Sequence, residues 1–275
     1  MDTSVLSDLP DVVAGRPVVS LLGGFAVWIG GRRVALPMHS RRVLAYLALD
    51  KTAEPDCDRR ILAERLWPDS STERSRASLR TALWRIRQAD PDLVCGTADR
   101  IMLAHEVKVD VHQYKKWTGH LLAAPTDCPR ERAQLMVCNL DLLPGWDETW
   151  LLLAREQLRQ LRLHALEVSG RRLAGAGRYP EAIDVMLIVV AEEPLRESAQ
   201  SVLIEAHLCE GNVVEARRQF DAFAGLLFDE LGVLPSPELY GRVGARPPLP
   251  VEASARPQTG FRRMSGAQRR IGSGV

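Results

Sequence analysis

The stretch from Ser70 to Gln88, SSTERSRASLRTALWRIRQ, constrains the chain more than any other. At about 100° per residue, Leu79, Ala82, Leu83 and Ile86 fall in one quadrant of a helix, and Arg74, Arg80, Thr81, Trp84, Arg85 and Gln88 take the other side. A helix so divided buries one stripe against a small domain and turns a cationic ridge outward. Ser70 followed three residues later by Glu73 fits a capping box, which makes Ser70 the expected cap. Taken alone, such a ridge describes a solvated surface at least as well as a nucleic-acid reader, so its neighbours decide.

Those neighbours predict an α+β winged helix-turn-helix. Val18 to Leu22, Phe25 to Ile29 and Arg32 to Leu36 are β-prone runs, the last two joined by Gly30-Gly31, a pair suited to a tight hairpin. Two helices follow: one capped by Ser40 with an apolar face of Val43, Leu44, Leu47 and Ala48, and one capped by Asp58 carrying Ile61, Leu62 and Leu66. Pro68 ends the second. After the arginine-rich helix, Leu93 to Cys95 and Arg100 to Leu103 flank a turn and predict a hairpin wing.

In that frame the third helix is the expected DNA-recognition helix. Arg80, Thr81, Trp84 and Arg85 lie on the outward arc and are the candidates for base contact, with Arg74 and Arg76 reaching phosphates or bases at the helix start and Arg87 at the border of the arc. Arg100, at the foot of the wing, is a candidate for the adjacent minor groove. His39, Arg41 and Arg42 are further phosphate candidates. Two placements of Trp84 stay open: against a base, or packed on the wing or a second subunit.

The charge distribution divides the chain in the same place. Residues 17 to 118 hold seventeen Lys or Arg against twelve Asp or Glu, whereas residues 119 to 244 hold twelve against nineteen, and the tail from 245 returns to six against one. A basic front beside an acidic middle suits a phosphate-binding domain next to one with other partners. The expected organisation is a loose leader over 1–16, the winged-helix domain over 17–117, an all-α helical domain over 118–244, and a disordered basic tail over 245–275. Within the helical part, Trp150, Leu153, Leu158, Leu161 and Leu166 recur at helical spacing. Gly177-Arg-Tyr-Pro-Glu-Ala182 and Gly211-Asn-Val-Val-Glu-Ala216 then repeat at an offset of 34 residues, the period of tetratricopeptide helix pairs. Ser236-Pro237-Glu238 predicts the start of a last short helix.

Motifs for chemistry are missing. The sequence has no GxxxxGK[ST] loop, no HExxH, no GxSxG and no GxGxxG, and its six histidines and five scattered cysteines show no metal-ligand spacing. The segment AHEVKVD, ending at Asp110, offers one histidine and dispersed acids, a weak metal signal. No catalytic residue, cofactor or metal is expected, no stretch is long and apolar enough for a membrane span, and a cytoplasmic location follows.

The ordered series GGFAVWIGGRRVALP, RRVLAYLAL, RRILAERLWPD, RASLRTALWRIRQ, LLPGWDETWLLLAREQLRQLRLHALE, GRYPEAI, EEPLRESAQ, EGNVVEARRQF and DELGVLPSPEL resembles the SARP family of bacterial transcriptional activators over roughly residues 17 to 243. The resemblance implies an OmpR-type winged helix followed by the tetratricopeptide-like bacterial transcriptional activator domain. It places the recognition helix at Arg74 to Arg87, the wing at Cys95 to Leu103, and at Pro68 to Ser71 a loop that can face polymerase. It further implies binding to promoter direct repeats of secondary-metabolite (antibiotic) clusters, recruitment of RNA polymerase, and self-association on tandem sites. The alternative is a helical-repeat adaptor whose winged helix does not bind DNA; the arc of Arg80, Thr81, Trp84 and Arg85 separates the two, because an adaptor has no need of it.

Overall fold

Near the start of the chain the short β-prone runs pair into one small sheet in the computed structural model, which describes residues 16–49, 57–137 and 141–244. β1 (Val18–Ser20) and β2 (Ala26–Ile29) run antiparallel with Val19 opposite Val27, and β2 pairs with β3 (Arg32–Val34) across Gly30-Gly31. Both glycines hold positive φ, 54° and 76°, which lets a two-residue turn match the twist of its strands.

Three helices and a second sheet follow: α1 (Met38–Leu49), β4 (Cys57–Asp58), α2 (Arg59–Leu66), α3 (Thr72–Ala89), a 3-10 turn at Pro91–Leu93, β5 (Val94–Gly96) and β6 (Arg100–Leu103). β5 and β6 form the antiparallel wing, and β4 joins the free edge of β6. β7 (Lys108–Val109) then returns to run parallel to β1, giving the first sheet the order β3-β2-β1-β7. Strands of two residues leave no period in a sequence, so β4 and β7 carry no local signal. The core of this part is Val19, Val27, Leu44, Leu62 and Leu66 closing on the α3 stripe of Leu79, Ala82, Leu83 and Ile86, all buried.

Three local expectations need correction. Ser40 does not cap α1; it lies inside the helix, buried, and its hydroxyl donates to the Ala82 carbonyl of α3 at 3.1 Å. Ser71, not Ser70, caps α3 and accepts from Arg74 N, while Ser70 N donates to Trp67 O in the preceding turn. With serines at both positions, the one whose φ and ψ are extended takes the cap. Ile61 is 42% exposed, and Ala63 joins Leu62 and Leu66 on the buried side of α2 instead. Asp58 caps α2 as expected, accepting from Arg60 N and Ile61 N.

The rest of the chain is helical: α4 (Asp110–Ala123), α5 (Pro129–Val137), α6 (Thr149–Gly175), α7 (Tyr179–Glu192), α8 (Glu197–Cys209), α9 (Val213–Leu231) and α10 (Pro237–Arg242), the last capped by Ser236. The 34-residue repeat recurs bond for bond at the ends of α6 and α8. Ala176 N donates to Arg172 O, Gly177 N to Ala174 O and Arg178 N to Leu173 O; Glu210 N, Gly211 N and Asn212 N donate to Ala206 O, Leu208 O and His207 O. Gly177 and Gly211 both take positive φ, 76° and 88°, the left-handed cap that lets the last carbonyls of a helix find donors. Ala182 and Ala216, offset by the same spacing, are fully buried. Along α6 the pattern is less faithful, since Leu153 is 67% exposed. The leader through residue 15, and the tail from 245, lie outside the described residues.

One buried carboxylate joins the two parts. Asp110, at the first turn of α4, accepts hydrogen bonds from Ser20 Oγ at 2.7 Å and from the backbone N–H groups of Leu21 (2.8 Å), Leu22 (3.0 Å) and Val111 (2.7 Å). The acid seen within AHEVKVD is therefore a structural acceptor. Around it, Leu143 N donates to Leu21 O, Gly23 N donates to Asp141 O, and Phe25 stacks on Trp146 at 5.8 Å.

Candidate nucleic-acid interface

α3 stands away from the seam, with its inner stripe buried and its outer side open. Arg74, Arg76, Arg80, Thr81, Trp84, Arg85 and Arg87 are all exposed. Ser40 and the α1–α3 packing fix the depth of the helix, so the ridge is carried on a rigid support. Among the described residues, no carboxylate forms an ion pair with Arg74, Arg76, Arg80, Arg85 or Arg87. Their donors face solvent on the outer side of α3.

Trp84 is 54% exposed, so it packs neither in the core nor under the wing of its own chain. The Arg85 guanidinium sits over its ring, 4.8 Å from the centroid. Thr81 donates its hydroxyl proton to Ala77 O at 3.0 Å, which removes it as a donor to a base. The wing projects beside this ridge. Gly96 at its turn has φ 146°, and a Cβ there would fall 2.3 Å from Arg100 O, so the tight turn tolerates no side chain. Thr97 N donates to Arg100 O, Thr97 Oγ1 accepts from Arg100 N, and the Arg100 side chain is exposed.

The α1 candidates are placed otherwise. Arg42 pairs with Glu148 at the start of α6, Nη2 to Oε2 at 2.7 Å and Nε to Oε1 at 2.7 Å, so its guanidinium serves the seam. Arg41 turns its Nε to Leu36 O at 2.6 Å, and His39 Nδ1 accepts from Trp67 Nε1 at 2.8 Å. Each of the three has a partner within the fold, Arg41 through its Nε alone, because α1 lies between the two parts instead of on the outer ridge.

Two cations escaped sequence reading. Arg59 and Arg60 open α2, and Arg59 N donates to Asp99 O of the wing turn, which brings the α2 start, the wing and the α3 end together. Burial and the nearby positive charge of Arg87 hold the Arg59 guanidinium below the usual arginine range. The Asp58 cap signal marked the helix start, but the β4–β6 pairing that swings it to the wing leaves no trace in the local pattern.

The bacterial transcriptional activator domain family matches residues 110–242. The chain also shares its fold with Mycobacterium tuberculosis EmbR, solved in complex with a low-affinity phosphopeptide, at a TM-score of 0.70 and 20% identity over 83% of this chain and 64% of that one. That family match covers a little under half of the chain, and the likeness to EmbR, at this identity, shows a shared fold. No curated protein matches the chain in sequence. The chain spans 64% of the length of the EmbR chain. Its matched domain begins at Asp110, the carboxylate that ties α4 to β1. The loop of Pro68 and Asp69 lines a groove of about 790 Å³ with Arg65 on one side and Trp150 and Leu153 of α6 on the other. Among the described residues no helix is long and apolar enough to cross a membrane.

Proposed function

We propose that the chain is a sequence-specific DNA-binding transcriptional activator that acts in the cytoplasm at the nucleoid. Residues 17–117 would form its DNA-binding module, residues 118–244 its partner-binding module, and the basic residues 245–275 an accessory segment. The observation that carries this reading is the outer side of α3, where five unpaired arginines and an exposed tryptophan stand beside a wing. An adaptor gains nothing from such a ridge, and uncompensated like charges cost stability unless an anion meets them. α3 would enter the major groove with Arg80, Thr81, Trp84 and Arg85 nearest the bases and Thr81 contributing its methyl group. Arg74, Arg76 and Arg87 would meet phosphates, and Arg100 the minor groove. Arg59 and Arg60 join the phosphate set, and Arg41 and Arg42 leave it. The sequence resemblance to SARP activators and the matched activator domain support the finer reading: direct repeats in promoters of a secondary-metabolite cluster, self-association on tandem sites, and recruitment of RNA polymerase.

A gel-shift titration of promoter fragments from the gene's own neighbourhood at two salt concentrations tests the proposal. Binding should weaken steeply with salt as counterions are released. Folded Arg80→Ala and Arg85→Ala proteins should bind the same fragment less tightly; equal affinity would overturn the assigned face, and no binding to any fragment would favour the adaptor.

A further inference from the structure

Trp84 and Arg85 support an inference that rests on the DNA-binding reading and specifies what that surface reads. Exposed indole on a helix surface leaves a large apolar area in water, and Trp84, at 54% exposure, keeps it there with the Arg85 guanidinium carbon over its ring. The contact has a chemical consequence. Ion pairs use up the in-plane N–H donors of a guanidinium, as Glu148 does for Arg42. Contact with a ring face occupies no oxygen acceptor, and among the described residues Arg85 has no ion-pair partner, so its N–H donors remain available. The contact also restricts the rotamers of a long side chain before any ligand arrives, which lowers the entropy lost on binding.

A flat guanidinium with a free edge matches guanine, whose O6 and N7 accept side by side in the major groove. Apolar groups stand beside it. Thr81, one turn back on the same side of α3, commits its hydroxyl proton to Ala77 O, so the apolar groups near Arg85 are the indole and a methyl. In the major groove the apolar feature among the bases is the C5 methyl of thymine. We infer that Trp84 and Arg85 form a composite reader of a guanine with a thymine next to it. Arg85 donates two hydrogen bonds to guanine O6 and N7, and the Trp84 indole packs on the thymine methyl. Arginine alone at this position would read guanine whatever stood beside it; the indole makes the neighbour part of the site.

The test begins by selecting bound duplexes from a random-sequence pool with the full chain. Variants of the selected site then carry 7-deazaguanine at each guanine or deoxyuridine at each thymine, removing N7 or the methyl one at a time. Binding is measured for wild type, Arg85→Ala, Trp84→Ala and Trp84→Phe, with thermal melts showing that each is folded. At one guanine, 7-deazaguanine should weaken wild-type binding roughly tenfold, and deoxyuridine at its neighbour should weaken it by roughly threefold or more. The first penalty should vanish in Arg85→Ala and the second in Trp84→Ala, with Trp84→Phe keeping part of it. Penalties at bases that are not neighbours, or penalties unchanged in both alanine variants, overturn the inference while leaving sequence-specific binding in place. A pool that yields no enriched sequence overturns the DNA-binding reading, and this inference with it.

Discussion

Arg42 of α1 and Glu148 at the start of α6 lie side by side, their paired nitrogens and oxygens both 2.7 Å apart, across the junction between the winged helix and the helical domain. Glu148 also accepts from Trp150 Nε1 at 3.0 Å, and Trp150 meets the edge of Tyr46 at 5.3 Å. The side chains of the pair keep only 19% and 13% of their exposure, so the pair is screened far less than a surface ion pair. Glu148→Ala leaves a half-buried guanidinium without its acceptor and should lower stability by about 2 kcal/mol. Denaturant unfolding of the full chain measures it.

The same geometry separates the roles of two arginines. Arg42→Ala should lower stability and leave DNA affinity nearly unchanged once the protein is folded. Arg76→Ala should do the reverse, weakening binding to all sequences alike and reducing the salt slope by about one. Salt titrations of binding, beside unfolding curves for both variants, give the comparison.

At the start of α3 the two serines are predicted to differ. Ser71→Ala removes the acceptor for Arg74 N and should cost about 1 kcal/mol, whereas Ser70→Ala should stay within about 0.5 kcal/mol of wild type. Equal effects in unfolding experiments would return the cap to Ser70.

Asp110 adds a pH dependence. Burial raises its pKa above the usual carboxylate value, against the lowering effect of the hydrogen bonds from Leu22, Ser20, Leu21 and Val111. Between the ordinary value and the raised one the folded chain binds the proton more readily than the unfolded chain. The contribution of this group is therefore full below the unfolded pKa and is lost as pH rises through the folded one. Asp110→Asn should remove that slope, seen as a smaller change in unfolding free energy across the weakly acidic range. Asp110→Ala should destabilise by about 3 kcal/mol at acidic pH, where the group contributes fully, because buried N–H groups lose their acceptor.

Gly96 tests the wing. Its φ of 146° and the 2.3 Å approach of a Cβ to Arg100 O mean that Gly96→Ala must distort the β5–β6 turn. A loss of about 1–3 kcal/mol is expected from the backbone strain. If the wing contacts DNA through Arg100, affinity should fall as well, measured at a temperature where the variant remains folded.

Much of the fold was legible along the sequence because the signals are local. The α3 stripe follows from helical periodicity. The β2–β3 hairpin follows from two adjacent glycines with the only backbone that fits the turn, and the repeat from glycines that end α6 and α8 with identical hydrogen bonds. The outward side of α3 was readable for the same reason, since a helix that buries Leu79, Ala82, Leu83 and Ile86 has to expose Arg80, Trp84 and Arg85.

What could not be read locally is how polar groups were shared among distant partners. Ser40 had a cap signature, yet its hydroxyl goes to a carbonyl 42 residues away; Arg42 had the position of a phosphate ligand, yet its acceptor lies 106 residues on; Asp110 suggested a stray acid, yet it accepts from Ser20, 90 residues back. A side chain's periodicity states which way it points from its own helix, and the burial of an apolar stripe follows from that alone. A donor or acceptor instead goes to whichever partner the folded chain brings within 3 Å, and only the packing of α1 between the two domains settles that competition.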